Sequence, residues 1–127
     1  MILVKNTSII LGLIAVMALL VLSGCKASPA VDLDAIGSFK GCYEDDGDRD
    51  LDGYDFKSEE MTNELCVMTC KEKGFRYAAT EHADECYCGN TYGKYGMADD
   101  ADCDDPCAGD PDSMCGGYWR ESVYGIK

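Results

Sequence analysis

Residues 61–90 read MTNELCVMTCKEKGFRYAATEHADECYCGN, and this stretch decides the fold. Thr62 is placed to N-cap a helix running to about Lys73, with Glu64 in its first turn and Gly74 as its stop. Phe75 to Thr80 and Glu85 to Cys88 then read as short strands joined by a polar turn, and Gly89-Asn90 ends the second. Cys66 and Cys70 lie four apart on the helix, so their thiols share a face; Cys86 and Cys88 lie two apart on a strand and share one too. Two stacked thiols facing two others can clamp helix to sheet. The parallel arrangement, Cys66–Cys86 with Cys70–Cys88, is favoured, and the crossed pairing stays open.

Outward from this unit, Phe39 to Tyr43 reads as a short strand and Glu121 to Ile126 as a closing one. Between Asn90 and Arg120 the chain is rich in Gly, Asp and Pro and shows no period. That is long for a loop in a small domain, but Cys103, Cys107 and Cys115 lie in it and can pin it. Cys107–Cys115 would close a local loop, leaving Cys42–Cys103 to tie the first strand to the long one. Spacings of CxxxC, CxC and CxxxC, with His82 the single histidine, do not suit zinc. Eight cysteines in so short a stretch instead match a disulfide scaffold from an oxidising compartment, needed because so small a core rarely suffices alone. The expected fold class is a small disulfide-rich α+β domain, one helix clamped to a short antiparallel sheet, with long disulfide-pinned loops.

The ninth cysteine belongs elsewhere. Ser8 to Leu22 is an almost unbroken apolar run behind Lys5, shorter than the roughly 20 residues of a membrane span, and reads as an export signal. It ends in Leu22-Ser23-Gly24-Cys25, which resembles the bacterial lipobox, in which the cysteine becomes the lipidated first residue of the mature protein. Cys25 stands 17 residues before Cys42, outside the framework. The division expected is a lipoprotein signal peptide over 1–24, lipidated Cys25 and a tether over 25–37 (KASPAVDLDAI shows no period), and a domain over 38–125. Acyl chains on Cys25 would hold the protein at a membrane, extracytoplasmic, and at the outer membrane in a Gram-negative cell since Lys26 follows the cysteine. Lys5 is the one charged residue of 1–24, so the rest carries 24 acidic and 10 basic side chains, net −14. That balance argues against nucleic acid and anionic lipid as partners. A monomer is expected.

The cysteines and their neighbours carry a further resemblance. Gly41-Cys42-Tyr43, Arg49-x-Leu51-x-Gly53, Met61-Thr62 with Cys66 and Cys70, Cys86-Tyr87-Cys88-Gly89-Asn90, Cys107-Ala108-Gly109-Asp110, Cys115-Gly116-Gly117 and Ser122-Val123-Tyr124 together resemble the WSC domain. This is an eight-cysteine extracellular module of cell-wall sensors, wall enzymes and receptors. The resemblance covers about residues 38–125. It implies the parallel disulfide pairing, a fold related to PAN/apple modules, and a carbohydrate-binding role.

Sugar recognition uses exposed aromatic faces with polar groups for the hydroxyls. Tyr92, Tyr95, Tyr118 and Trp119 lie beside glycines in loops, and Asn90, Asp110 and Arg120 could supply hydrogen bonds. These seven are the candidate carbohydrate-binding residues, against a reading in which half the rings are core. Residues 44–60 contain nine acids, and Asp48-x-Asp50-x-Asp52-Gly53, then five residues, then Glu59, satisfies the Ca²⁺-loop pattern. Against it, the normally aliphatic eighth position is Asp55 and no helix pattern precedes Asp48, which favours a solvated acidic loop. Asp99 to Asp105, with five aspartates, lacks the pattern altogether. No paired carboxylates in an apolar setting and no nucleophile-histidine set are read. The functions carried forward are a lipid-anchored carbohydrate-binding protein, a module docking to an envelope protein, and a structural surface lipoprotein.

Overall fold

The computed structural model describes residues 30–127. The segment read as a signal peptide, Cys25 and the start of the segment read as a tether lie outside them. In chain order the elements are helix α1 (Leu33–Ile36), strand β1 (Gly37–Glu44), β2 (Tyr54–Lys57), helix α2 (Asn63–Glu72), β3 (Tyr77–Glu81), β4 (Glu85–Gly89), β5 (Pro106–Cys107), β6 (Asp110–Met114) and β7 (Arg120–Ile126). Five strands form one antiparallel sheet in the order β1-β7-β3-β4-β2, and β5 and β6 form a separate hairpin.

Helix α2 begins and ends as its residues dictate. The Thr62 hydroxyl accepts from Leu65 N–H at 3.0 Å. At the other end Phe75 N–H reaches Cys70 C=O and Gly74 N–H reaches Lys71 C=O, both at 3.0 Å, with Gly74 at φ +84°. This is the Schellman arrangement, and it needs a residue free to adopt positive φ. Cys66, Val67 and Cys70 face inward onto Ala78, Cys86, Cys88 and Tyr124. Cys66 bonds Cys86 and Cys70 bonds Cys88, so the pairing is parallel and not crossed. Cys42–Cys103 and Cys107–Cys115 complete the set. On the sheet's other face, alternate residues Ala79, Tyr87 and Val123 gather round Leu51, with Tyr43, Tyr77 and Tyr92 at the margin.

Three segments differ from the sequence reading. Val31 to Ile36, read as tether, carries α1: Asp32 caps it, and Leu33 and Ile36 pack against the helix-side core. Four residues are too few to show a period. The acidic stretch 44–60 is not a continuous solvated loop. Asp45, Asp50 and Leu51 are buried, and Tyr54–Lys57 pairs along β4 as an edge strand. Residues 90–120 hold a 3₁₀ turn (Asp100–Asp102) and the β5–β6 hairpin. They are tied to β1 by Glu44 N–H to Gly96 C=O and Ala98 N–H to Cys42 C=O. In the hairpin turn, any Cβ on Gly109 would lie 2.3 Å from Glu60 C=O, so close approach selects the glycine there.

Candidate functional site

The sheet face opposite α2 opens into a cleft of about 190 Å³ lined by Arg49, Glu81, His82, Glu85, Tyr118 and Trp119. Its floor comes from β3 and β4, one wall from the loop after β1, and the other from the turn before β7. Arg49 lies at its centre. The guanidinium carbon is 4.5 Å from the centroid of the Tyr87 ring and 4.9 Å from that of Trp119, so the cation is sandwiched between aromatics. Arg49 also donates to Asp45 at 2.7 Å. Burial works against its charge, but Asp45, Tyr87 and Glu81 outweigh it and hold the guanidinium more firmly protonated than usual.

Trp119 is held at φ +53°, a conformation that costs a bulky residue energy and marks sites where geometry matters. Its backbone is fastened by Asp45 N–H and by the Arg120 guanidinium, both donating to Trp119 C=O. Tyr118 beside it is 76% exposed, with its ring 6.3 Å from that of Trp119 and 6.4 Å from His82. His82 itself sits at φ +52° in the β3–β4 turn, 3.5 Å from Asp105. Glu85 accepts from Tyr87 O–H and pairs with Lys57, both at 2.8 Å. Burial would raise its carboxyl, yet these partners outweigh burial and hold it below the usual range. Glu81 shows the opposite balance: burial, then the neighbouring Asp45, pushes it up to about 8.

The seven sequence candidates do not converge. Tyr118 and Trp119 line the cleft. Arg120 stands behind Trp119 and lies 3.6 Å from both Glu44 and Asp102. Tyr92 is half-buried against Tyr43 and Tyr77, at centroid distances of 5.1 and 4.6 Å, so it is a core-margin ring. Tyr95 donates to Asp48 C=O under the Lys94 ammonium. Asn90 accepts from Arg76 N–H, and Asp110 accepts from Asp112 N–H and Ser113 O–H inside the hairpin. Their side-chain oxygens are thus engaged inside the fold, Asn90 across to the start of β3 and Asp110 within its own hairpin.

The calcium pattern is also dispersed. Asp50 is buried and accepts from Gly93 and Lys94 N–H at 2.6 and 2.9 Å, whereas Asp48 is exposed and paired with Lys94. Strand β2 separates Asp52 from Glu59, so the chain cannot wrap them round one ion. The sequence reading gave no role to Arg49, Glu81 or Glu85. Arg49 had a signal, since it belongs to the Arg49-x-Leu51-x-Gly53 motif; Glu81, read as part of the polar turn, and Glu85, read as the start of a strand, had none.

A family profile described as WSC domain matches residues 39–117. Similar proteins include a WSC domain-containing protein of Arthroderma benhamiae, 37% identical over 89 residues, which are 68% of this chain and 12% of that protein. Kremen protein 1 of Homo sapiens is 38% identical over 87 residues, 66% of this chain and 18% of its own length. Xylosyltransferase oxt of Drosophila pseudoobscura pseudoobscura is 36% identical over 88 residues, 66% of this chain and 10% of its own. The chain thus spans less than a fifth of the length of each of these relatives. With four disulfides, one main helix on a five-stranded antiparallel sheet and this match over most of the domain, the chain belongs to the WSC domain family.

Proposed function

We propose that the protein is exported, held at a membrane by lipid on Cys25, and binds carbohydrate in the cleft between Tyr118, Trp119 and Arg49. The observation that carries the binding reading is Trp119. It is the chain's single tryptophan, strained to positive φ and stacked on a buried-edge arginine, next to an exposed tyrosine. A fixed aromatic face beside Arg49, Glu85 and His82 offers what a sugar ring needs, C–H contact on one side and donors and acceptors on the other. The cleft is smaller than the roughly 300–1,000 Å³ of sites for drug-sized ligands, so it suits one residue of a glycan rather than a long stretch.

A glycan-array screen with residues 26–127, repeated with Trp119→Ala and Tyr118→Ala, tests the reading. Binding that falls at least about tenfold in Trp119→Ala, the scale of losing one aromatic anchor, is the expected result. Absence of binding across a broad array would remove it. A second reading, docking to an envelope protein, draws on Phe39 and Met114. Both are exposed, and they line a shallow cavity with Leu33 and Tyr124. It would take over if Phe39→Ser abolished capture of an envelope protein while the glycan screen stayed blank.

A further inference from the structure

Strands β1, β7, β3 and β4 lie side by side, and their register sets Tyr43 opposite Glu121, Glu121 opposite Glu81 and Glu81 opposite Glu85. Three glutamates therefore form one row across three neighbouring strands, on the face away from α2. Like charges directly opposite one another in a sheet repel. The row is also buried: Glu121 is 0% exposed and Glu81 3%. The loop after β1 lays two more buried acids, Asp45 and Asp50, over it.

The cations nearby do not balance this group. Lys57 is taken by Glu85 at the row's end. Arg49 grips Asp45 at 2.7 Å but lies 3.4 Å from both oxygens of Glu81, a loose contact. Asp45, Asp50, Glu81 and Glu121, when ionised, thus leave three negative charges unmatched by the one guanidinium. Asp50 spends its oxygens on Gly93 and Lys94 N–H, and Asp45 accepts from Asp50 N–H as well as Arg49. Both carboxyl oxygens of Glu121 are fully buried and accept no hydrogen bond. They point into the group: one oxygen each from Asp45, Glu81 and Glu121 lie within 4.8 Å of one another.

We propose that Asp45, Glu81 and Glu121 form a binding site for a divalent cation of the calcium class. Ca²⁺ binds oxygens at about 2.3–2.6 Å, so two ligands of one ion lie no more than about 5 Å apart, which this trio satisfies. An all-oxygen set without nitrogen or sulfur selects a hard cation. Ca²⁺ tolerates irregular carboxylate arrangements, whereas Mg²⁺ demands near-octahedral geometry and keeps its waters. A divalent ion would reduce the three unmatched charges to one and give Glu121 the partner that it lacks. Because Glu81 also lines the cleft, the ion would enter from there, past Arg49. This site is distinct from the Asp48, Asp50, Asp52 and Glu59 motif and does not depend on glycan binding.

The test uses the full chain in detergent, with Ca²⁺ against chelator, and Tb³⁺ as a luminescent substitute excited through Trp119 and Tyr87. Ca²⁺ is expected to raise the melting temperature, and Tb³⁺ emission should appear and be competed away by Ca²⁺ in high salt. Glu121→Gln should lower Ca²⁺ affinity by about tenfold or more, as oxygen sites follow their count of charged ligands. Glu121→Leu, which fills the volume without charge, should do the same and guards against a folding failure of the amide. The Asp52→Asn, Glu59→Gln double variant should bind as the parent does. The proposal is overturned if Ca²⁺ shifts neither melting nor emission in the parent chain. It is equally overturned if the Glu121 variants retain binding, or if the double variant loses it.

Discussion

At the scale of single residues, the balance between burial and nearby partners decides what each charged group does. Asp45 and Glu81 lie side by side, yet they part in behaviour. Burial raises both, but the Asp50 N–H, Glu81 and Arg49 outweigh it for Asp45 and hold it low. Glu81 has only the loose Arg49 contact and is pushed up to about 8, and Glu121, buried beside Asp50, to about 11. In the unfolded chain both glutamates titrate near 4.5. The folded, metal-free state therefore holds more protons above that pH, and its stability is lost as pH rises. In chelator, the urea midpoint should fall from pH 5 to 8, where both Glu81 and Glu121 keep protons that the unfolded chain has lost, and less steeply above 8, where only Glu121 does. Glu121→Gln should flatten the decline across the whole range and nearly abolish it above pH 8. A midpoint that rises between pH 5 and 8 would contradict this account. Trp119 belongs to the same scale: one strained φ sets the ring over Arg49, and no residue type in the sequence announces that.

Among the elements, the disulfides do unequal work. Cys42–Cys103 spans 61 residues and joins β1 to the 3₁₀ turn, whereas Cys107–Cys115 spans 8 and closes only the β5–β6 hairpin. In the chain-entropy account these loops correspond to about 4 and about 2.5 kcal/mol. Replacing the first pair by alanines should therefore lower unfolding free energy by about 1.5–2 kcal/mol more than replacing the second. Equilibrium urea unfolding of the two double variants measures it; equal losses would show that native-state strain or packing outweighs loop length. The clamp of α2 was legible because helix and strand periods place thiols on faces without any tertiary knowledge. Strand β2 was not. YDFK carries two charges in four residues, and it is a strand only because β4 offers an unpaired edge.

For the whole molecule, one compact unit runs from Val31 to Lys127, and no helix among the described residues is long and apolar enough to cross a membrane. In the reading proposed above, attachment rests on lipid carried by Cys25. Cys25→Ser should leave the domain folded, with unchanged melting, but move the protein from the detergent phase to the aqueous phase on phase separation. Unchanged partition would overturn the lipid anchor.

What the sequence determined by itself is whatever depends on short-range spacing. The helix between Thr62 and Gly74, the shared faces of four cysteines and the alternation of β4 follow from backbone periods of 3.6 and 2. Tertiary structure alone decided the rest. Arg49 meets Trp119 across 70 residues of chain, and Glu121 meets Glu81 and Asp45 because β7 inserts between β1 and β3. Strand order is set by which faces bury together, and no local pattern encodes it. The acidic loop makes the point most plainly: its spacing suggested one calcium site, while folding buried Asp45, dispersed the motif and brought Glu81 and Glu121 to meet it.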